Sequence, residues 1–149
     1  MSYLVDTNVL VRLVQKSSPM HTDVRRAFII LRKQSEKLCI IPQNLIEFWA
    51  VATRPLASNG LGLTVDEAQR ATRKLKRIFV LCPDTPTIFY TWENLVTKYQ
   101  VMGKQAHDTR LVAAMINHNL VYLLTFNTDD FKRFSEITAI DPRTIASES

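Results

Sequence analysis

The strongest constraint on how this chain folds is the alternation of short apolar runs with longer amphipathic stretches. YLV, KLCIIP, FVLCPD and VYLLTFN are apolar runs of strand length, and ITAIDP is a possible fifth. Between them lie segments with helical spacing. SSPMHTDVRRAFIILRKQSEK sets Val24, Ala27, Phe28 and Leu31 three and four residues apart. QNLIEFWAVATR ends at Pro55, and TVDEAQRATRKLKRIF opens with Thr64 and, three residues on, Glu67, the reciprocal capping pattern. TPTIFYTWENLVTKYQV carries Pro86 near its first turn, and AHDTRLVAAMINHNL precedes the fourth apolar run. PLASNGLGLT, with two of the three glycines, reads as a loop. A strand covered on both faces needs no polar alternation, so continuous runs separated by helices predict a parallel sheet sandwiched by helices. The expectation is one α/β domain over residues 1–149, with a mostly parallel central sheet of about four to five strands. Its motifs lie within residues 2–141, followed by a short C-terminal tail.

Composition supports an ordinary globular domain that needs no staple. With 149 residues, 46% of them hydrophobic, the chain can bury a core without disulfides or structural metal. Its two cysteines, Cys39 and Cys82, sit inside apolar runs and read as small buried hydrophobes. His21, His107 and His118 are scattered, so no Cys/His metal cluster is expected. MSYLVD lacks a basic region followed by an apolar stretch, and no apolar run approaches the roughly 20 residues of a membrane span. A cytoplasmic protein is therefore expected. The net charge of +5 favours association with a polyanion, nucleic acid above all.

In open α/β sheets, function gathers beyond the carboxyl ends of the strands. Acidic residues stand at those ends here. Asp6 follows YLV, Glu47 lies about one turn into the helix after LCIIP, and Asn127 follows YLLTF with Asp129 and Asp130 behind it. Asp6, Thr7 or Asn8 would cap the first helix. Asp108 stands at the start of another helix, positioned to cap it or to point across its N-terminal end. Leu45, Ile46, Phe48, Trp49 and Val51 surround Glu47, which places it near an apolar face. Half-buried carboxylates require a counter-charge. Arg12 and Arg54, the nearest cations in sequence, lie a turn or more away, so a divalent ion is the natural partner. Mg²⁺ and Mn²⁺ prefer oxygen ligands, and with a basic surface this suggests metal-assisted phosphodiester hydrolysis.

DTN after the first strand, a Glu behind the second, HDTRLVAAM, and LLTFNTDDF occur in the order that resembles the PIN-domain family. The likeness is greatest to VapC-type ribonuclease toxins of toxin–antitoxin pairs, and it runs from Ser2 to about Asp141. It implies a PIN-like fold and an Mg²⁺- or Mn²⁺-dependent endoribonuclease. It further implies an RNA substrate, a cognate antitoxin partner and a homodimer. Position by position, it makes Asp6, Glu47 and Asp108 metal ligands, with Asn8 and Thr125 supporting them. The fourth acidic position is Asn127 in this chain, with Asp130 three residues later, so either side chain is a candidate for that place. Lys104, Arg110, Lys132 and Arg133 flank the motifs and are candidates for RNA phosphate contacts.

Two other classes compete. A haloacid-dehalogenase-like phosphatase also begins with a strand-end Asp, but it needs a second Asp where Asn8 stands. A PIN-like module that only docks RNA or protein has no need of three mutually repelling carboxylates.

Overall fold

The computed structural model describes residues 1–148. Strands β1 (Ser2–Val5), β2 (Lys37–Ile40), β3 (Val80–Leu81), β4 (Tyr122–Leu124) and β5 (Thr138–Ile140) form one sheet in the order β3-β2-β1-β4-β5. Every neighbouring pair is parallel, so all five carboxyl ends face the same edge. The sequence expectation of a mostly parallel sheet is met in its stricter form, and ITAIDP supplies the fifth strand.

Successive side chains of β1 point to opposite faces, as the strand period requires. Tyr3 and Val5 join a core with helices α1 (Thr7–Val14), α2 (His21–Lys33), α3 (Pro42–Thr53) and α4 (Val65–Ile78). Leu4 joins a second core with α5 (Thr87–Lys98) and α6 (Gln105–Asn117). Leu111 to Met115 of α6 are all buried, which explains why that segment shows almost no polar interruption. Cys39 and Cys82 are both buried free thiols, and burial together with the neighbouring Cys82 pushes the Cys39 thiol up to about 11. No helix among the described residues is long and apolar enough to cross a membrane.

Local signals mostly act as read. Thr64 Oγ1 accepts from the Glu67 amide at 3.1 Å while the Glu67 carboxylate accepts from the Thr64 amide at 3.0 Å, closing the capping box of α4. Three readings are corrected. Pro42 does not end β2; it is the first residue of α3, where a missing N–H costs nothing. Ile46 is 70% exposed, so only part of the apolar ring drawn around Glu47 faces the core. The C-terminal segment is not a plain tail. Asp141 caps α7 (Pro142–Ala146), which packs on α2 with Pro142, Ile145 and Ala146 buried. Five residues are too few to display a helical period in sequence.

Candidate functional site

The parallel topology brings Asp6, Glu47, Asp108 and Asn127 to one cleft of about 460 Å³ at the carboxyl edge of the sheet. Asp6 leaves β1 as the N-cap of α1, its Oδ1 accepting the Thr7 amide at 2.7 Å. Its other oxygen accepts from Thr125 Oγ1 at 2.8 Å. Thr125 follows β4 and is fully buried. Its hydroxyl also accepts from Asn8 Nδ2 at 3.2 Å and from the Asn127 amide at 3.1 Å. Both lone pairs are thereby used, so the single hydroxyl proton is directed at Asp6. Asn8 therefore acts on Asp6 through Thr125, and its own Oδ1 receives the Phe126 amide at 3.3 Å.

Glu47 is held from below by Thr7, whose Oγ1 donates to Oε1 at 3.0 Å. Thr7 in turn accepts from Asn44 Nδ2 at 3.4 Å. Asn44 is fully buried, and its Oδ1 takes the Ile41 amide at 2.9 Å. One amide thus closes the first turn of α3 and also steadies the hydroxyl beneath Glu47. Sequence reading passed over Asn44 and treated Thr7 only as a possible cap. A polar side chain in the helix turn after an apolar strand was the available signal.

Asp108 sits in the first turn of α6, but Lys104 holds the N-cap position, so the capping reading is corrected. Its side chain is partly buried and free to face the cleft. Burial raises the Asp108 carboxyl above the usual range, and the negative charges of Asp130 and Glu47 raise it further. Asp6 is pushed up to about 6, chiefly by burial. Hydrogen bonds from Thr125 and Thr7 pull it back, while Asp108 and Glu47 push in the same direction as burial. Carboxylates from three distant segments feel one another's charge.

Asn127 and Asp130 divide the fourth position. Asn127 lines the cleft, and Asp130 lies on a 3-10 turn (Thr128–Phe131), exposed, with its field reaching Asp108. Of the candidate phosphate contacts, Arg110 reaches Gln43 Oε1 at 3.1 Å and Asp84 at 3.3 Å. Lys132 pairs with Asp129, and Arg133 bonds Gln105. Lys104 is exposed.

Among the described residues, no three acidic, His or Cys side chains close into a ready-made ligand cage. The donor set nevertheless fits a hard divalent cation. Asp6, Glu47, Asp108 and Asn127 all offer oxygen, and the Asp6 and Asp108 carboxyls, raised chiefly by burial, are raised further by the negative charge of their acidic neighbours.

Comparison with known proteins gives a consistent assignment. The profile of the PIN domain matches residues 3–137. Comparison with curated protein sequences yields no significant match. Among solved structures, the chain is similar to VapBC2 from Rickettsia felis bound to a DNA fragment from their promoter, at TM-score 0.73 and 17% identity. That alignment covers 95% of this chain and 98% of the other. DNA-bound VapBC from Salmonella typhimurium aligns at TM-score 0.67 and 18% identity, again over 95% and 98%. Mycobacterium tuberculosis VapC20, a sarcin-ricin loop cleaving toxin, aligns at TM-score 0.62 and 18% identity, over 86% and 92%. At these identities the likeness speaks for the fold.

Proposed function

This chain belongs to the PIN domain family, and on that premise we propose that it is a metal-dependent endoribonuclease, the toxin of a toxin–antitoxin pair. The observation that carries the reading is the convergence of Asp6, Glu47 and Asp108 on one cleft, with Asp6 and Asp108 both raised by burial and by neighbouring carboxylates. Burying like charges together is costly unless a cation shares them.

Asp6, Asp108 and Glu47 would hold Mg²⁺ or Mn²⁺, with the Asn127 carbonyl at the margin and Asp130 acting through water. A bound ion supplies Lewis-acid charge and lowers the pKa of water beside it. The chain's own residues do the positioning. Thr125 and the Thr7 amide each occupy one oxygen of Asp6, which fixes the plane of its carboxylate. Thr7 does the same for Glu47 through one oxygen, leaving the other to the cleft. Asp130 adds negative potential at Asp108 and so strengthens attraction for a cation.

RNA fits the basic balance of the chain, +5 overall, once three acids are sequestered in the cleft. The solved neighbours from Rickettsia felis and Salmonella typhimurium are toxin–antitoxin assemblies, which supports an antitoxin partner here. A homodimer and a cytoplasmic location complete the reading. Purified protein incubated with total RNA tests it. Cleavage should appear with Mn²⁺ or Mg²⁺ and stop in EDTA, and these ions should raise the melting temperature. Undiminished cleavage in excess EDTA refutes the metal-dependent mechanism.

A further inference from the structure

The cleft that holds the three carboxylates is not acidic throughout. Arg12, Arg54 and Asn59 line it as well. Arg12 is in the last turn of α1, and Arg54 is the C-cap of α3. Helices α1 and α3 pack side by side; α1 leads from Asp6 at its N-cap to Arg12 in its last turn, and α3 leads from Glu47 at its middle to Arg54 at its C-cap. Six residues separate Asp6 from Arg12 and seven separate Glu47 from Arg54, roughly 9 Å and 10.5 Å along a helix axis. The cleft therefore has an acidic end and a guanidinium end.

Neither guanidinium neutralises the acids. Among the described residues, the ion pairs involve neither Arg12 nor Arg54. Arg12 donates to the neutral Gln15 at 2.7 Å. A cation in the last turn favours the helix dipole, which accounts in part for Arg12. It does not account for Arg54, whose backbone has already left the helix in an extended conformation.

The loop after Arg54 is built to hold that end of the cleft. Gly60, Leu61, Gly62 and Leu63 donate backbone hydrogen bonds to Pro55, Val51, Arg54 and Ala52, folding the loop back on the end of α3. Gly60 comes so close that a Cβ there would lie 2.0 Å from the Arg54 carbonyl oxygen. Asn59 adopts φ +64°, a conformation Asn tolerates better than most residues, and its position lines the cleft beside Arg54. The backbone of Arg54 is locked while its side chain makes no hydrogen bond among the described residues.

We propose that Arg12 and Arg54 are phosphate-recognition residues, gripping an RNA phosphate further along the strand from the one that is cut. The proposal rests on the ribonuclease reading above. Planar guanidinium groups suit phosphate oxygens, and the Asn59 amide adds a neutral donor beside them. The cleft then carries a polarity, with metal chemistry at the sheet and anchoring at the helix ends.

The test measures binding of a labelled mixed-sequence single-stranded RNA across a salt series, in an Asp6→Asn background that does not cut. Arg54→Ala and Arg12→Ala should each weaken binding about tenfold and reduce the log–log salt slope by about 0.7. Arg54→Lys should keep the slope and recover only part of the affinity, because a point charge replaces a bidentate fork. In the otherwise native protein, Mn²⁺ affinity should not fall in any of the three variants. Unchanged RNA affinity and slope in both alanine variants overturn the proposal. So does a parallel loss of Mn²⁺ binding, which would mean that the arginines merely hold the acidic floor in place. If the native chain neither binds RNA in a salt-dependent way nor takes up Mn²⁺, the ribonuclease reading falls and takes this one with it.

Discussion

The acidic end of the cleft and a second, basic cavity stand toward opposite ends of α1, and they show two different uses of charge. Asp6 begins the helix and Lys16 lies just past its end. The basic cavity, about 960 Å³, runs between α1, α2 and α4 and is rimmed by Lys16, Arg25, Arg70, Arg73, Lys74 and Arg77. All six cations are exposed, and none forms an ion pair among the described residues. The carboxylates opposite are partly buried, and Asp6 and Glu47 are clamped by threonine hydroxyls. Exposed cations on long stems are screened by salt and make a field. Clamped, desolvated acids make a site.

That contrast is tested most severely at Asp6. Asp6→Asn should lower cleavage below about a thousandth of the native rate, since it removes the most central of the proposed ligands. The same change should leave the fold intact and raise the apo melting temperature. A variant cutting RNA at native rates in millimolar Mg²⁺ would collapse the distinction between site and field.

Next comes the clamp. Thr125→Val keeps the shape but removes the hydroxyl that Asp6 accepts, and activity should fall roughly 10- to 100-fold. Because that hydrogen bond holds the Asp6 pKa down, its loss should move the acid limb of the pH profile to higher pH. An unshifted limb with full activity would show that the clamp is ornamental to the chemistry.

The pH dependence of apo stability follows in size. Asp6 titrates at about 6 in the fold and near 3.8 when unfolded, so the native state binds the extra proton between those values. Its carboxyl therefore favours the fold most below about pH 4, and that contribution is lost as pH rises through 6. The change is on the order of 3 kcal/mol, read as a fall in denaturation midpoint that Asp6→Asn should abolish. An identical pH profile in native and variant proteins would contradict the desolvation of Asp6.

The smallest effects are expected across the helix, in the basic cavity. Arg73→Ala with Lys74→Ala should change stability by no more than about 0.5 kcal/mol and leave the cleavage rate at saturating RNA untouched. Asp130→Asn should lie between these extremes, reducing activity several-fold through the weaker field at Asp108. If it abolishes Mn²⁺ binding as completely as Asp6→Asn while Asn127→Ala is silent, the division of labour at the fourth position is reversed.

What sequence reading recovered follows the same physical line. A charge in an apolar run is conspicuous because burial is costly, so Asp6 stood out inside YLVDTNVLVRL, and Glu47 behind LCIIP did so in part. Continuous strands announced the parallel sheet, and the sheet then implied a common edge. Asn44 escapes because the bond that ties it to the site, from its side-chain amide to Thr7, exists only once α3 packs on α1. Arg12 and Arg54 are weighed in the sequence only as counter-charges and set aside for their distance from the acids. Each is unremarkable where it stands, and only the packing of α1 against α3 sets both in one cleft. Asp108 was found, but its neighbours in sequence suggested a cap, whereas the helix starts one turn earlier.

The buried amide of Asn44 has a consequence for how this chain can change over time. It fastens the Ile41 amide behind β2 on one side and the hydroxyl under Glu47 on the other, so the number of residues from Ile41 to Glu47 acts as a ruler. Adding or deleting one residue in that stretch would turn Glu47 by about 100° around the helix and away from Asp6. In the loop at residues 55–63, the exposed Ala57 and Ser58 can exchange side chains without such a cost. Substitution can therefore roam widely over this molecule, but insertions and deletions between β2 and the second turn of α3 should be rejected.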